Sequence, residues 1–127
     1  MQIEFPGGVA VTATFKEFTV KTDQPIVNGG TNQNPSPFDL FLVSLGTCAG
    51  FYALRFCQQR DLATEGMRLS LDTQTNAATK RLEKVLIVLT LPEEFPEKYK
   101  DAILRATDQC SVKQALVQPP EVAVSVV

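Results

Sequence analysis

Hydrophobic and polar positions change period several times along the chain, and each change marks an element. Val9 to Phe15 is β-branched and alternating, and with Gln2 to Phe5 across the turn signal Pro6-Gly7-Gly8 it predicts a hairpin. Phe18 to Lys21 adds a third strand. Thr22 to Ser36, rich in Asp, Asn, Gln, Gly and Pro, predicts a loop. From Pro37 to about Arg60 the pattern becomes helical: Ser36 suits the cap, Pro37 the first helical position, and Asp39 complements the positive helix start. This helix is apolar on every side, with no charge between Asp39 and Arg55, so burial all round is expected. Gly46 and Gly50 bracket Cys48 within it. Each glycine costs a helix interior about 1 kcal/mol relative to alanine, which suggests a close approach to this backbone.

The second half alternates again. Met67 to Thr75 predicts a half-buried strand, and Leu82 to Leu91 a strand that begins alternating and ends as an apolar run stopped at Pro92. A helix is expected from Glu97 to about Thr107, a short one from Cys110 to Val117, and a closing strand over Glu121 to Val127 after Pro119-Pro120. The order is three strands, a long helix, two strands, two helices and a strand: an α+β fold with a mostly antiparallel sheet and a long buried central helix.

Composition narrows the chemistry. At 127 residues the chain is read as one domain, and a net charge of −2 with interspersed signs gives no footprint of a nucleic-acid binder. The run Phe41 to Leu54 falls short of the ~20 apolar residues of a membrane span, so no membrane partner is expected. No signal-like segment opens the chain, and three cysteines point to a reducing compartment, so a cytoplasmic location is expected. Histidine is absent altogether, which removes Ser-His and Cys-His pairs and histidine-based metal sites. No phosphate loop is present, and neither a metal nor a cofactor is expected.

The thiols remain. Ser44, Cys48, Tyr52 and Arg55 share one helix face, with Arg55 two turns, roughly 10 Å, from Cys48. Burial of Cys48 would raise its pKa and leave it an inert packing residue unless a charge or hydrogen bonds favour the thiolate. Cys110 falls at a helix start, where a lowered pKa is expected, with Lys113 one turn on; packing is its alternative. Cys57 is read as packing. Two thiols on two helices suggest that the sulfurs meet, so that a peroxide could oxidise one to a sulfenic acid and the other condense with it.

At these residues the chain resembles the OsmC/Ohr family of thiol-dependent hydroperoxide reductases. The helix entry Pro37-Phe38-Asp39-Leu40 followed by Ser44-Leu45-Gly46-Thr47-Cys48 is similar to the family's first motif, with the cysteine eleven residues after the proline. Cys110-Ser111-Val112-Lys113-Gln114-Ala115-Leu116 is similar to its Cys-Pro-Val helix start. The resemblance implies an OsmC-like fold, an intertwined homodimer with its central helices packed together, and sites at the subunit interface. It implies Cys48 as the peroxide-attacking thiol and Cys110 as the resolving one, in a stress-defence enzyme that reduces organic hydroperoxides and is recycled by a dithiol. Asp39 joins them as a catalytic candidate, and Phe38, Phe41, Tyr52 and Arg55 are candidates for substrate contacts. The alternative is a protein of this fold that binds a small apolar ligand without efficient turnover. Two positions depart from the family pattern: Phe38 stands where peroxidases carry glutamate, and the activating arginine of the N-terminal strands is missing. Lys16, Lys21, Arg55 and Arg68 are the candidate replacements.

Overall fold

A computed structural model describes all 127 residues and shows two compact units, Met1–Val43 and Ser44–Val127. The first is a three-stranded antiparallel sheet in the order β1 (Gln2–Gly7), β2 (Ala10–Phe15) and β3 (Phe18–Thr22). Its pairings run Ile3 to Ala13 and Phe15 to Phe18, with an irregularity between Glu4 and Gly7. The β2–β3 turn is tight enough to hold Lys16 at φ 51°, and the rings of Phe15 and Phe18 close it at 5.7 Å.

The polar loop that follows is ordered by one carboxylate. Asp23, 4% exposed, accepts from the Thr31 hydroxyl at 2.5 Å and from the backbone N–H groups of Gln24 at 2.8 Å and Thr31 at 2.9 Å. These bonds, the Thr31 hydroxyl's above all, hold its pKa down at about 2. Gly30 closes over Gln24 so tightly that an added Cβ would overlap the Gln24 carbonyl.

The helix α1 (Pro37–Gln58) starts on a reciprocal cap. Asp39 Oδ2 accepts from the Ser36 N–H at 2.8 Å and the Ser36 hydroxyl at 2.7 Å, while Ser36 Oγ accepts from the Asp39 N–H at 3.1 Å. In the second unit α1 packs against the antiparallel pair β4 (Arg68–Thr75) and β5 (Leu82–Thr90) and the helices α2 (Lys100–Thr107) and α3 (Ser111–Val117). The register Leu69 to Leu89 and Leu71 to Ile87 turns the apolar side chains of both strands toward α1 and leaves Ser70, Asp72, Leu86 and Val88 outside. One core cluster joins Ala53, Phe56 and Cys57 to Phe95 and Ile103; the other joins Leu45 and Ala49 to Cys110.

Several expectations change here. By length and composition α1 is apolar enough to cross a membrane, contrary to the estimate from its uncharged run, yet one face of it packs as a core helix does. Burial is one-sided: Val43, Phe51 and Leu54 stay exposed. Neither glycine is required by a close approach within the chain, since a Cβ on Gly46 would meet only Leu71 at ordinary contact and one on Gly50 would meet nothing. The expected closing strand is absent, and Glu121 to Val127 is exposed without regular structure. Its alternation gives it strand propensity, but it joins neither sheet, and a segment without a paired neighbour has no ladder to stabilise it.

Candidate active site

The site is built where the middle of α1 meets the start of α3. Leu45, Cys48 and Ala49 recur at helical spacing on one face of α1, and against them pack Cys110 and Val112. Cys110 is the residue before α3 and caps it, its sulfur accepting from the Lys113 N–H at 3.4 Å. Lys113 is itself paired with Asp108, which ties the approach of α3 to its first turn.

The two thiols are brought together and their environments differ. Cys48 is partly exposed, whereas Cys110 is 1% exposed. Burial pushes Cys48 up, but hydrogen bonds from the Val112 N–H, the Cys110 thiol and the Ser111 N–H together outweigh it and hold the thiol below its ordinary value. Cys110 goes the other way. Burial raises it; the Lys113 and Val112 N–H groups pull it down, but with the neighbouring Cys48 also raising it, the net shift is upward. The Cys110 S–H also donates to the Leu45 carbonyl, 3.8 Å away. The expectation for Cys110 is reversed, since its thiol is shifted up, whereas for Cys48 the exception applies: hydrogen bonds outweigh burial and shift the thiol down. The physical reason is one of balance: the Val112 and Ser111 N–H groups and the Cys110 thiol outweigh the burial of Cys48, whereas the Lys113 and Val112 N–H groups do not offset the deeper burial of Cys110. Cys57, fully buried, is raised by burial despite Arg60, as suits a packing residue.

No cation takes part in setting Cys48. Lys16, Lys21, Arg55 and Arg68 are all exposed, and the amides of Ser111 and Val112 supply the stabilisation that the resemblance would assign to an arginine. The sequence reading noticed Ser111 and Val112 only as motif letters, since backbone donors leave no trace in side-chain identity. Asp39 is taken up by the helix cap with Ser36. Phe38 and Phe41 stack at 5.5 Å in the first unit. Tyr52 reaches the site by a 3.0 Å hydrogen bond between its hydroxyl and Ser111 Oγ. Arg55 faces a groove between α1 and α2. A cavity of about 440 Å³ opens on the other side of Cys110, walled by Leu45, Ala49, Val85, Ile87 and Leu116, with the Asp108–Lys113 pair at its rim. It was missed because the β5 residues that wall it also read as ordinary core. No cluster of His, Cys, Asp and Glu is arranged to hold a metal.

On an α+β scaffold, then, a partly exposed thiol shifted down by hydrogen bonds packs beside a buried thiol shifted up. The chain belongs to the OsmC-like family: the model of the OsmC-like protein matches residues 30–125. The fold is similar to that of a Psychrobacter arcticus protein described as an osmotic stress induced and detoxification response protein, at a TM-score of 0.76 and 21% identity over 90% of this chain and 85% of that one. It is also similar to a Legionella pneumophila protein described as an organic hydroperoxide resistance protein, OsmC, at a TM-score of 0.56 and 12% identity over 89% and 90% of the two chains. No curated protein matches the chain.

Proposed function

We propose that this protein is a stress-defence peroxidase that reduces organic hydroperoxides with Cys48 and Cys110. The single observation that carries the reading is the unequal thiol pair, with the acidic member the more accessible. The Cys48 thiolate attacks the terminal oxygen of the hydroperoxide and the O–O bond breaks. The alkoxide takes a proton and leaves as the alcohol, and Cys48 becomes a sulfenic acid. The Cys110 sulfur then attacks the Cys48 sulfur, forming the disulfide and releasing water. A small dithiol returns both cysteines to thiols by exchange and is itself oxidised to a disulfide. Tyr52 orients Ser111, one of the amides that stabilise the thiolate. The exposed apolar positions Val43, Phe51 and Leu54 on α1, with open space at Gly50, support a homodimer packed helix to helix.

A second reading has its own observation. The cavity beside Cys110 is walled mainly by aliphatic side chains and would take a small apolar ligand without turnover. One experiment separates the two. Treating the reduced protein with one equivalent of cumene hydroperoxide should consume two thiols within minutes and leave a Cys48–Cys110 disulfide in the peptide map. Retention of all three thiols would sink the peroxidase and leave the binding protein.

A further inference from the structure

A groove of about 650 Å³ runs between the second half of α1 and α2, within the second unit. Of the five arginines in the chain (Arg55, Arg60, Arg68, Arg81 and Arg105), three line it: Arg55, Arg60 and Arg105. No carboxylate lines it, although the chain as a whole carries a net charge of −2. Each wall carries an arginine near the end of its helix and a glutamine in the turn that follows: Arg55 on α1 with Gln59 just past it, and Arg105 on α2 with Gln109 just past it. All four line the groove, so each wall presents a guanidinium fork and an amide together.

The three cations are not equivalent. Arg60 is committed to the protein, with its guanidinium 3.9 Å from the centroid of the Phe56 ring and a 3.3 Å hydrogen bond to the Phe56 carbonyl. Arg55 and Arg105 are exposed, and neither belongs to an ion pair; those in the chain are Lys100–Glu97 and Lys113–Asp108. The groove is also apolar. Ala102 and Ala106 leave room on the α2 side, and the half-exposed Phe51 with Tyr52 supplies an aromatic edge on the α1 side, their rings 5.5 Å apart. Planar guanidinium forks match the paired oxygens of a carboxylate or phosphate and are weakly hydrated. Beside them an apolar wall rewards a ligand with a flat body.

We propose that this groove binds a small organic anion carrying an aromatic or similarly flat body, with its anionic oxygens held by Arg55 and Arg105. The groove shares Tyr52 with the surroundings of the thiols and Phe51 with the helix face proposed to pair, but neither Cys48 nor Cys110 lines it, and the proposal does not depend on the peroxidase reading.

Phenyl phosphate is the probe, titrated calorimetrically into the reduced full-length protein, with inorganic phosphate and benzyl alcohol as partial mimics. Phenyl phosphate should bind saturably and several-fold more tightly than either, because only it satisfies the forks and the apolar wall at once. Raising the ionic strength from about 0.01 M to about 0.15 M shortens the screening length from about 30 Å to about 8 Å, and affinity should fall several-fold. The Arg55→Ala/Arg105→Ala variant should lose at least tenfold in affinity, and the Arg55→Lys/Arg105→Lys variant should recover part of it. Alkylating the thiols beforehand should leave binding unchanged. Absence of saturable binding, equal binding by the Ala/Ala variant, or loss of binding on thiol alkylation would each overturn the proposal.

Discussion

Replacing Ile103 with alanine tests how α2 is seated on α1. Ile103 is 1% exposed and lies in the cluster formed by Ala53, Phe56, Cys57 and Phe95. Truncation removes three side-chain carbons from a site bounded by two phenyl rings, neither of which can collapse freely into the space. Such substitutions cost about 2–5 kcal/mol, transfer and cavity contributions together, and the rigid surroundings favour the middle of that range. For a chain of this length each kcal/mol lowers Tm by about 4 °C, so thermal unfolding followed by circular dichroism should shift down by about 10–15 °C. The neighbouring substitution Leu104→Ala is the control. Leu104 is 63% exposed, and an exposed truncation should cost under about 1 kcal/mol. The pair differs by a single helix position, a rotation of about 100°. Equal losses for Ile103→Ala and Leu104→Ala would refute the seating of α2, because no one-sided burial could produce them.

Other outcomes follow from the same geometry. The depressed Asp23 carboxyl contributes stability that is present above the ordinary aspartate range, near pH 4, and lost as pH falls toward its folded value of about 2; the amide resonances of Gln24 and Thr31 should lose protection over that window, and Asp23→Asn should abolish the transition. Gly30→Ala forces a Cβ into the Gln24 carbonyl and should cost about 1–3 kcal/mol, as overpacking does, measured by urea unfolding. Iodoacetamide at neutral pH should alkylate Cys48 well ahead of Cys110 and Cys57, since only Cys48 is shifted toward the thiolate; peptide mapping that found Cys110 first would reverse the assigned roles.

Much of the architecture was legible in the chain. The three N-terminal strands, the central helix, the β4–β5 pair and the two short helices follow from periods of two and about 3.6 and from Pro and Gly at their ends, because these signals are local. The Ser36–Asp39 cap was equally visible, since its partners lie three residues apart. The closing strand did not form: Glu121 to Val127 carries the alternation of a strand, but pairing is a tertiary event and the segment joins neither sheet.

The candidate site divides along the same line. Its address was in the sequence, in Cys48 on a long apolar helix and Cys110 at a helix start. Which thiol is acidic was decided only by tertiary structure. Read by its own surroundings, Cys110 was assigned a low pKa, and Cys48 a high one unless hydrogen bonds intervened; packing α3 against α1 supplied those bonds and left Cys110 shifted up instead. The amides of Ser111 and Val112 and the Cys110 S–H all donate to Cys48, and no residue within reach along α1 could have signalled them. The groove between α1 and α2 has the same origin. Arg55 and Arg105 are 50 residues apart in sequence, and only the packing of two helices brings their uncompensated charges to one surface. Local order is written in neighbouring residues; the charge and proton distribution of a site depends on partners distant in the chain.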